Sequence, residues 1–306
     1  MDLYLPIAGV SVSAPLLLAL SAAAGFVCAL FGVGGGFLMT PLLVFLGIPP
    51  AVAVASAGLQ AAAGSASSLA DVARRRTVDL RMGAILAGGG AVGAWLGVEL
   101  FRHFRLAGQA DVVVSLCYLV FLTLVGALML TESLSAVLRQ RRGEPVKPRR
   151  DRRPAWLYSL PVKLRFPTSR LYISVIPPLG LGLLAGLLTG LMGLGAGFLL
   201  VPAMIYLLRM PAGLVVGTSL VQILVAATVA SLLHAGRNLS LDLPLTALLI
   251  VGGVVGAHLG ARASGRFRSE ELRAVFGLLV LLVGLKVGLD LFITPVEPFA
   301  LIGGGD

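Results

Sequence analysis

The sequence predicts an all-α, polytopic membrane protein made of two inverted repeats, each of about five helical pieces that include broken or re-entrant helices. Three observations lead there: uncharged runs long enough to cross a bilayer, a chain that matches itself in two places, and cations that gather on one face only if the two halves point in opposite directions. Of 306 residues, 58% are hydrophobic and 12% charged, against about 25% charged in an ordinary soluble domain. No Asp, Glu, Lys or Arg interrupts the chain between Asp2 and Asp71, although about 20 apolar residues already span the hydrocarbon core. Further uncharged runs cover 82–98, 112–131, 171–208, 210–236 and 243–261. These runs are apolar on every face, which excludes the alternating strands of a membrane β-barrel.

The self-match sets the organisation. GVGGGFLMTP at Gly32 to Pro41 returns as GLGAGFLLVP at Gly193 to Pro202, an offset of 161. GGAVGAWLG at Gly89 to Gly97 returns as GGVVGAHLG at Gly252 to Gly260, an offset of 163. Two matches in the same order make a duplication, and one loop suffices to absorb the slip of two residues. The first repeat is read as 14–138 and the second as 172–293, joined by a basic, Pro-rich linker at 139–171 that is expected to be exposed.

Within the first repeat, apolar pieces lie near 14–31, 37–46, 51–70, 82–101 and 112–138, and within the second near 173–192, 197–208, 212–234, 243–261 and 272–293. The second piece of each set is too short to cross: ten or so residues rise only ~15 Å, half the hydrocarbon thickness. Three arrangements satisfy this: a re-entrant hairpin, two crossings with one truncated, or one long broken span.

Parity of crossings follows from the cations. With an odd number per half, Arg74, Arg75, Arg76, Arg81, the 11 Lys and Arg from Arg139 to Arg170, Arg209, Arg262, Arg266, Arg268 and Arg273 share one face, leaving Arg102, Arg105 and Arg237 opposite. Without the linker the split is 9 to 3 for odd parity and 5 to 7 for even parity, and only the first obeys the positive-inside rule. Two odd halves in one chain must face opposite ways. The linker is then cytoplasmic and both termini extracytoplasmic. The net charge of +10 is concentrated in this linker, so it reads as topology rather than as a nucleic-acid surface. Cys28 and Cys117 lie inside apolar runs and read as packing residues rather than a disulfide. No basic n-region precedes the first apolar run, so that segment is expected to stay in the mature protein.

The paired glycine runs are the candidate site. Gly32, Gly34, Gly35 and Gly36, and likewise Gly193, Gly195 and Gly197, stand where a helix would be interrupted, with Phe37 and Phe198 starting the second half-helices. An interruption frees backbone N–H groups that cannot face lipid. At a helix N-terminus such groups hold an anion without a charged side chain. Helix packing is the other role glycine serves here. Ser56, Gln60, Ser65 and Ser67, and in nearly matching places Thr218, Ser219 and Gln222, offer hydrogen-bond donors nearby. Gly89, Gly93, Gly97 and Gly252, Gly256, Gly260 give each half one smooth helix face for close packing. His258 stands where the first half has Trp95, and Lys286 and Asp290 are spaced to pair on one helix face. No metal-ligating cluster, nucleophile motif or nucleotide loop is present in the sequence. The expectation is therefore no enzyme, no cofactor and no metal, with transport driven by a substrate gradient, by a proton or other cation, or by a separate partner.

FGVGGGFLMTP at Phe31 to Pro41, its echo MGLGAGFLLVP at Met192 to Pro202, and GGxxGAxLG in both halves resemble the sulfite exporter TauE/SafE family, over about residues 14–293. The resemblance implies a transporter of sulfur-containing anions such as sulfite, sulfoacetate or other organosulfonates in a bacterial inner membrane. Ala196 departs from it, replacing the middle glycine of the second run. A non-transporting membrane scaffold or assembly partner, with glycines purely for packing, is the rival reading.

Overall fold

The computed structural model describes residues 2–31, 36, 38–74, 77–141, 161–169, 171–193, 195–263 and 269–293. Ten helices run through these residues. The first half holds α1 (Ala14–Phe31), α2 (Met39–Phe45), α3 (Pro50–Arg74), α4 (Leu80–Leu106) and α5 (Ala110–Arg141). The second holds α6 (Ile176–Met192), α7 (Gly197–Tyr206), α8 (Ala212–Arg237), α9 (Leu243–Ala263) and α10 (Ser269–Ile293). Among the described residues, four segments are long and apolar enough to cross a membrane: Leu80–Leu106, Ala110–Leu128, Gly213–Arg237 and Leu243–Gly260. The protein is a multi-pass helical membrane protein.

Each half also opens with an antiparallel hairpin that the helical pattern does not announce: β1 (Asp2–Leu5) with β2 (Val10–Ser13), and β3 (Lys163–Phe166) with β4 (Leu171–Ser174). Asp2 to Lys163 and Ser13 to Ser174 are both offsets of 161 (163 − 2 and 174 − 13), the offset of the glycine run. Residues 163–169, expected as linker, thus belong to a hairpin with a counterpart at the start of the chain. The two-residue slip is taken up in two places rather than in one loop. The α7–α8 connection is 207–211 where α2–α3 is 46–49, which brings Gln60 and Gln222 to an offset of 162, and the second residue enters before Asp79 and Asp242, which are 163 apart.

Helix directions follow from which residues meet. Methyl groups added at Gly89, Gly93 and Gly97 of α4 would collide with the carbonyls of Leu179, Leu183 and Leu187 of α6, so α4 and α6 run parallel. Gly252, Gly256 and Gly260 of α9 meet Leu18, Ala22 and Phe26 of α1 in the same way. Ser231 Oγ of α8 donates to Ala55 O of α3 at 3.2 Å, while Gly217 lies against Val72, so α3 and α8 are antiparallel. Gly126 meets Leu281 and Gly288 meets Leu119, which makes α5 and α10 antiparallel as well. Gln60 and Ser67 of α3 meet Gly253 and His258 of α9, Gly83 and Gly90 of α4 meet Val221 and Ala226 of α8, and α5 returns from α4 across residues 107–109, so α1, α3, α5 and α9 run one way, and α4, α6, α8 and α10 the other. Every full-length element of the second half therefore opposes its counterpart in the first, as inverted repeats require.

The short pieces turn back. Phe45, at the end of α2, lies 4.0 Å below Lys286 Nζ of α10 and borders a cavity shared with Asp111 at the start of α5. This is the face from which α1 enters. At the other face, Leu208 and Met210, just beyond α7, pack in one cluster with Phe166 and Ile173 of the second hairpin, beside the start of α6. Both halves thus use the re-entrant hairpin among the three arrangements open to the sequence.

Two buried carboxylates fasten the halves together at opposite ends of the bundle. Asp79 Oδ1 accepts from Met82 N at 3.1 Å, capping α4, while its Oδ2 accepts from Ser169 N at 3.1 Å and from the Ser169 hydroxyl. Asp242 Oδ1 accepts from Leu245 N at 3.2 Å, at the start of α9, and its Oδ2 from Ile7 N at 3.1 Å. Each hairpin turn is thereby tied to a helix N-terminus of the other half, where a negative side chain also complements the helix dipole. Asp79 and Asp242 are 163 apart, the offset of the second glycine run.

The contacts of Gly93 lead to a controlled test. Gly93→Ala drives a methyl into the Leu183 carbonyl and should cost about 1–3 kcal/mol of overpacking. Gly88→Ala, on the same helix with open space at its Cβ, should be neutral or stabilising by up to about 1 kcal/mol. Thermal unfolding in detergent checks the contrast; equal melting temperatures would contradict the packing.

Candidate functional site

The second re-entrant hairpin shows how its sequence makes an interruption. Helix α6 ends at Met192 because Gly193 takes the left-handed conformation, φ 69°, which glycine adopts without penalty. A side chain there would also come within 2.5 Å of Val54 O on α3. Helix α7 restarts at Gly197, and the amides of Leu199 and Leu200 both donate to Ala196 O at 3.1 Å. The amides of Gly197 and Phe198 head the new helix, where no preceding turn supplies an acceptor. Ala196 is buried with φ 41°, a left-handed backbone that costs a non-glycine residue about 1–2 kcal/mol.

The tip is secured from its surroundings. The Tyr118 hydroxyl of α5 donates to Met192 O at 2.6 Å, satisfying one of the carbonyls that the end of α6 leaves open. His234 of α8 accepts at Nδ1 from the Asn238 amide and donates from Nε2 to Gly190 O, both at 2.8 Å.

In the first half, Gly36 is buried and its carbonyl accepts from Met39 N at 3.2 Å, leading into α2. Gly32, Gly34, Gly35 and Phe37 lie outside the described residues, and of Phe198 only the backbone is described. The two interruptions nevertheless meet. A methyl on Gly36 would lie 2.6 Å from Ala61 Cβ, and one on Gly195 3.5 Å from the same atom and 3.0 Å from Ile223 Cγ2. Ala61 stands near the middle of α3, and Ile223 is its counterpart on α8. The hairpin tips entering from opposite faces therefore share the α3–α8 crossing.

Gln60 and Gln222 immediately precede Ala61 and Ile223 and are buried, but their amides do not converge on one point. Gln60 turns to α9 and α1: Nε2 donates to Ser21 Oγ at 3.1 Å and packs on Gly253. Gln222 turns to α4, where a methyl on Gly90 would come within 2.8 Å of its Nε2. Among the described residues, neither polar atom of Gln222 finds a hydrogen-bond partner, nor do Gln60 Oε1, Ser56 Oγ and Ser65 Oγ. The hydroxyls of Thr218 and Ser219 are engaged locally. Thr218 donates to Leu214 O at 2.7 Å and accepts from Asp79 N at 3.1 Å; Ser219 donates to Val216 O at 2.9 Å. Ser67 Oγ lies 3.3 Å from His258 Nδ1, outside the crossing. No group of three or more metal-ligating side chains occurs among the described residues.

Ser21, Tyr118, Asp79 and Asp242 escape a reading based on glycine repeats. The two aspartates carry a usable signal, since they share an offset of 163 and each precedes an apolar helix. Ser21 carries none, because its counterpart is Gly182.

Inverted halves, each sending a short helix toward the centre of the bundle, are an arrangement found among membrane transporters. A family model described as "Sulfite exporter TauE/SafE" matches residues 17–287, and the chain belongs to that family of membrane transporters. It is 30% identical over 269 residues to the "Probable membrane transporter protein YjnA" of Bacillus subtilis (strain 168), covering 86% of this chain and 95% of that one. It is also 30% identical over 267 residues to a "Probable membrane transporter protein" of Xylella fastidiosa (strain 9a5c), covering 86% and 90%. The "Sulfite exporter TauE/SafE family protein 3" of Arabidopsis thaliana is 33% identical over 92 residues, 30% of this chain and 19% of that protein. No solved structure matches the chain significantly.

Proposed function

We propose that the protein is a secondary transporter of sulfur-containing anions, with sulfite, sulfoacetate and other organosulfonates as the candidate cargo, working by alternating access in a bacterial inner membrane. The meeting of both interruptions at Ala61 supports this most strongly. It gathers main-chain donors near mid-membrane depth, enclosed by protein, with Gln60 and Gln222 on either flank. The binding set is Gly32, Gly34, Gly35, Gly36 and Phe37 from the first run, Gly193, Gly195, Gly197 and Phe198 from the second, Ser56 from α3 and Gln222 from α8, with Gln60, Thr218 and Ser219 bordering it through side chains bonded within the protein. Uncharged donors suit an anion that must be bound well enough to enter and weakly enough to leave.

The moving bodies in this mechanism are not the two sequence halves. Close glycine packing joins α1 to α9 and α4 to α6, and the Asp242 and Asp79 links fasten the corresponding hairpins to them. Each body mixes one entering helix with a spanning helix of the other repeat. Rocking of these bodies about the α3–α8 crossing would open the tips to one face at a time, driven by the anion's own gradient, a proton or another cation.

Purified protein in liposomes should move sulfite or a sulfonate across the sealed bilayer. Gly195→Leu, which crowds Ile223 and Ala61, should reduce flux to background while the protein still inserts. Absence of flux from the wild type for a panel of sulfur oxyanions would reject the transport reading. The orientation is checked separately: reporters fused to either terminus should give only extracytoplasmic signal, and a cytoplasmic signal from either would reverse it.

A further inference from the structure

We infer that the two glutamines of the crossing have unequal roles: Gln222 is the amide that contacts the transported anion, and Gln60 is a positioning residue held by Ser21. This rests on the transport reading above. The repeats make the comparison sharp because the surroundings of the two side chains correspond residue by residue. Gln60 packs on Gly253 and Gln222 on Gly90, and those glycines are 163 apart. Leu249 and Leu86, also 163 apart, supply the neighbouring carbonyls.

One difference bears directly on the two amides. In the first half, Ser21 Oγ donates to Leu249 O at 2.5 Å and accepts from Gln60 Nε2 at 3.1 Å. Its counterpart at an offset of 161 is Gly182, which lies so close to the Leu86 carbonyl that a methyl group would collide with it. Position 182 therefore cannot place a hydroxyl beside Gln222. Both polar atoms of Gln222 are buried and lack a protein partner among the described residues, and the residue is 0% exposed. A buried amide without partners is unfavourable unless something else completes its bonds. An oxyanion provides acceptor oxygens for Nε2–H, and its water or hydroxyl a donor for Oε1. Helices α6 and α7 contain no charged residue, and the charged residues of α4 flanking Gly90 are Arg81 and Glu99, each nine positions away, or about 13 Å along the helix; Asp79 bonds Thr218, four residues before Gln222, through its backbone N, while its carboxylate is taken up by Met82 N and Ser169.

The test is the anion-induced shift in melting temperature of detergent-solubilised full-length protein, together with the KM for sulfite flux in liposomes, for wild type, Gln222→Leu, Gln222→Met, Gln60→Leu and Ser21→Ala. Losing a hydrogen bond to a charged ligand should raise KM roughly 10- to 100-fold in both Gln222 variants and abolish the sulfite-induced shift, with the ligand-free melting temperature unchanged or higher. Gln60→Leu and Ser21→Ala should instead lower the ligand-free melting temperature and keep KM within about threefold. A Gln222 variant with wild-type KM and shift overturns the inference, as does a Gln60→Leu that loses sulfite binding equally. Failure of both Gln222 variants to insert also overturns it, because the amide would then be a packing requirement. A wild type that neither shifts nor transports defeats the transport reading itself, and the inference with it.

Discussion

A helix that stops inside a bilayer leaves main-chain donors and acceptors that lipid cannot satisfy, each at a cost of several kcal/mol. The whole bundle is arranged around two such stops. They must be walled by protein, so the elements carrying them are short, and the helices behind them are built from small residues. Helix α3 shows the consequence: from Val52 to Ser65 only Leu59 and Ala63 escape full burial. This Ala-, Gly- and Ser-rich stretch has no lipid to face and needs little hydropathy. It falls outside the four long apolar spans, though it is the element against which both re-entrant tips close.

Walls that close require backbones that approach, and glycine spaced by four provides that between α4 and α6 and between α1 and α9. These pairs cross the repeat boundary, so neither half could bury its own entering helix. The aspartate links add a second reason for mutual dependence, because the hairpin before each entering helix is fastened to the other half. The two like halves are interlocked through these exchanged contacts. The departures from symmetry fall near the crossing: Ser21 against Gly182, and Ala196 held at φ 41°. On the transport reading proposed above, an asymmetric site inside a symmetric frame would let one passenger be bound by unlike groups from the two sides.

Much of this frame is legible in the chain. The offsets of 161 and 163, the glycine face at Gly89, Gly93 and Gly97, and the shortness of the second piece in each half lead to inverted repeats with broken helices. The hairpins were not legible, because four-residue strands such as Val10–Ser13 carry no periodicity that stands out beside apolar helices. The choice of a re-entrant path was also out of reach, since chain length at 39–45 is compatible with several routes and only contacts of Phe45 and Leu208 with their own face of entry separate them. At the site, Gln60 and Gln222 look equivalent in sequence. Their inequality arises from Ser21, a residue 39 positions away from Gln60 that no local pattern connects to it. Thr218 likewise reads as a free donor, while tertiary contact commits it to Asp79 N and Leu214 O.

The account turns on the approach of two interruptions from opposite faces to one residue of α3. A cysteine cross-link measures that most directly. With Cys28 and Cys117 replaced by serine, a variant carrying Ala61→Cys and Gly195→Cys has its two Cβ positions 3.5 Å apart, within the range a disulfide spans. Mild oxidation in native membranes should join them within one chain, visible as a mobility shift reversed by reductant, whereas Ala61→Cys paired with Gly88→Cys should stay unjoined. No cross-link at 61 and 195, or equal cross-linking in the control, would contradict the shared crossing on which the fold and the site both depend.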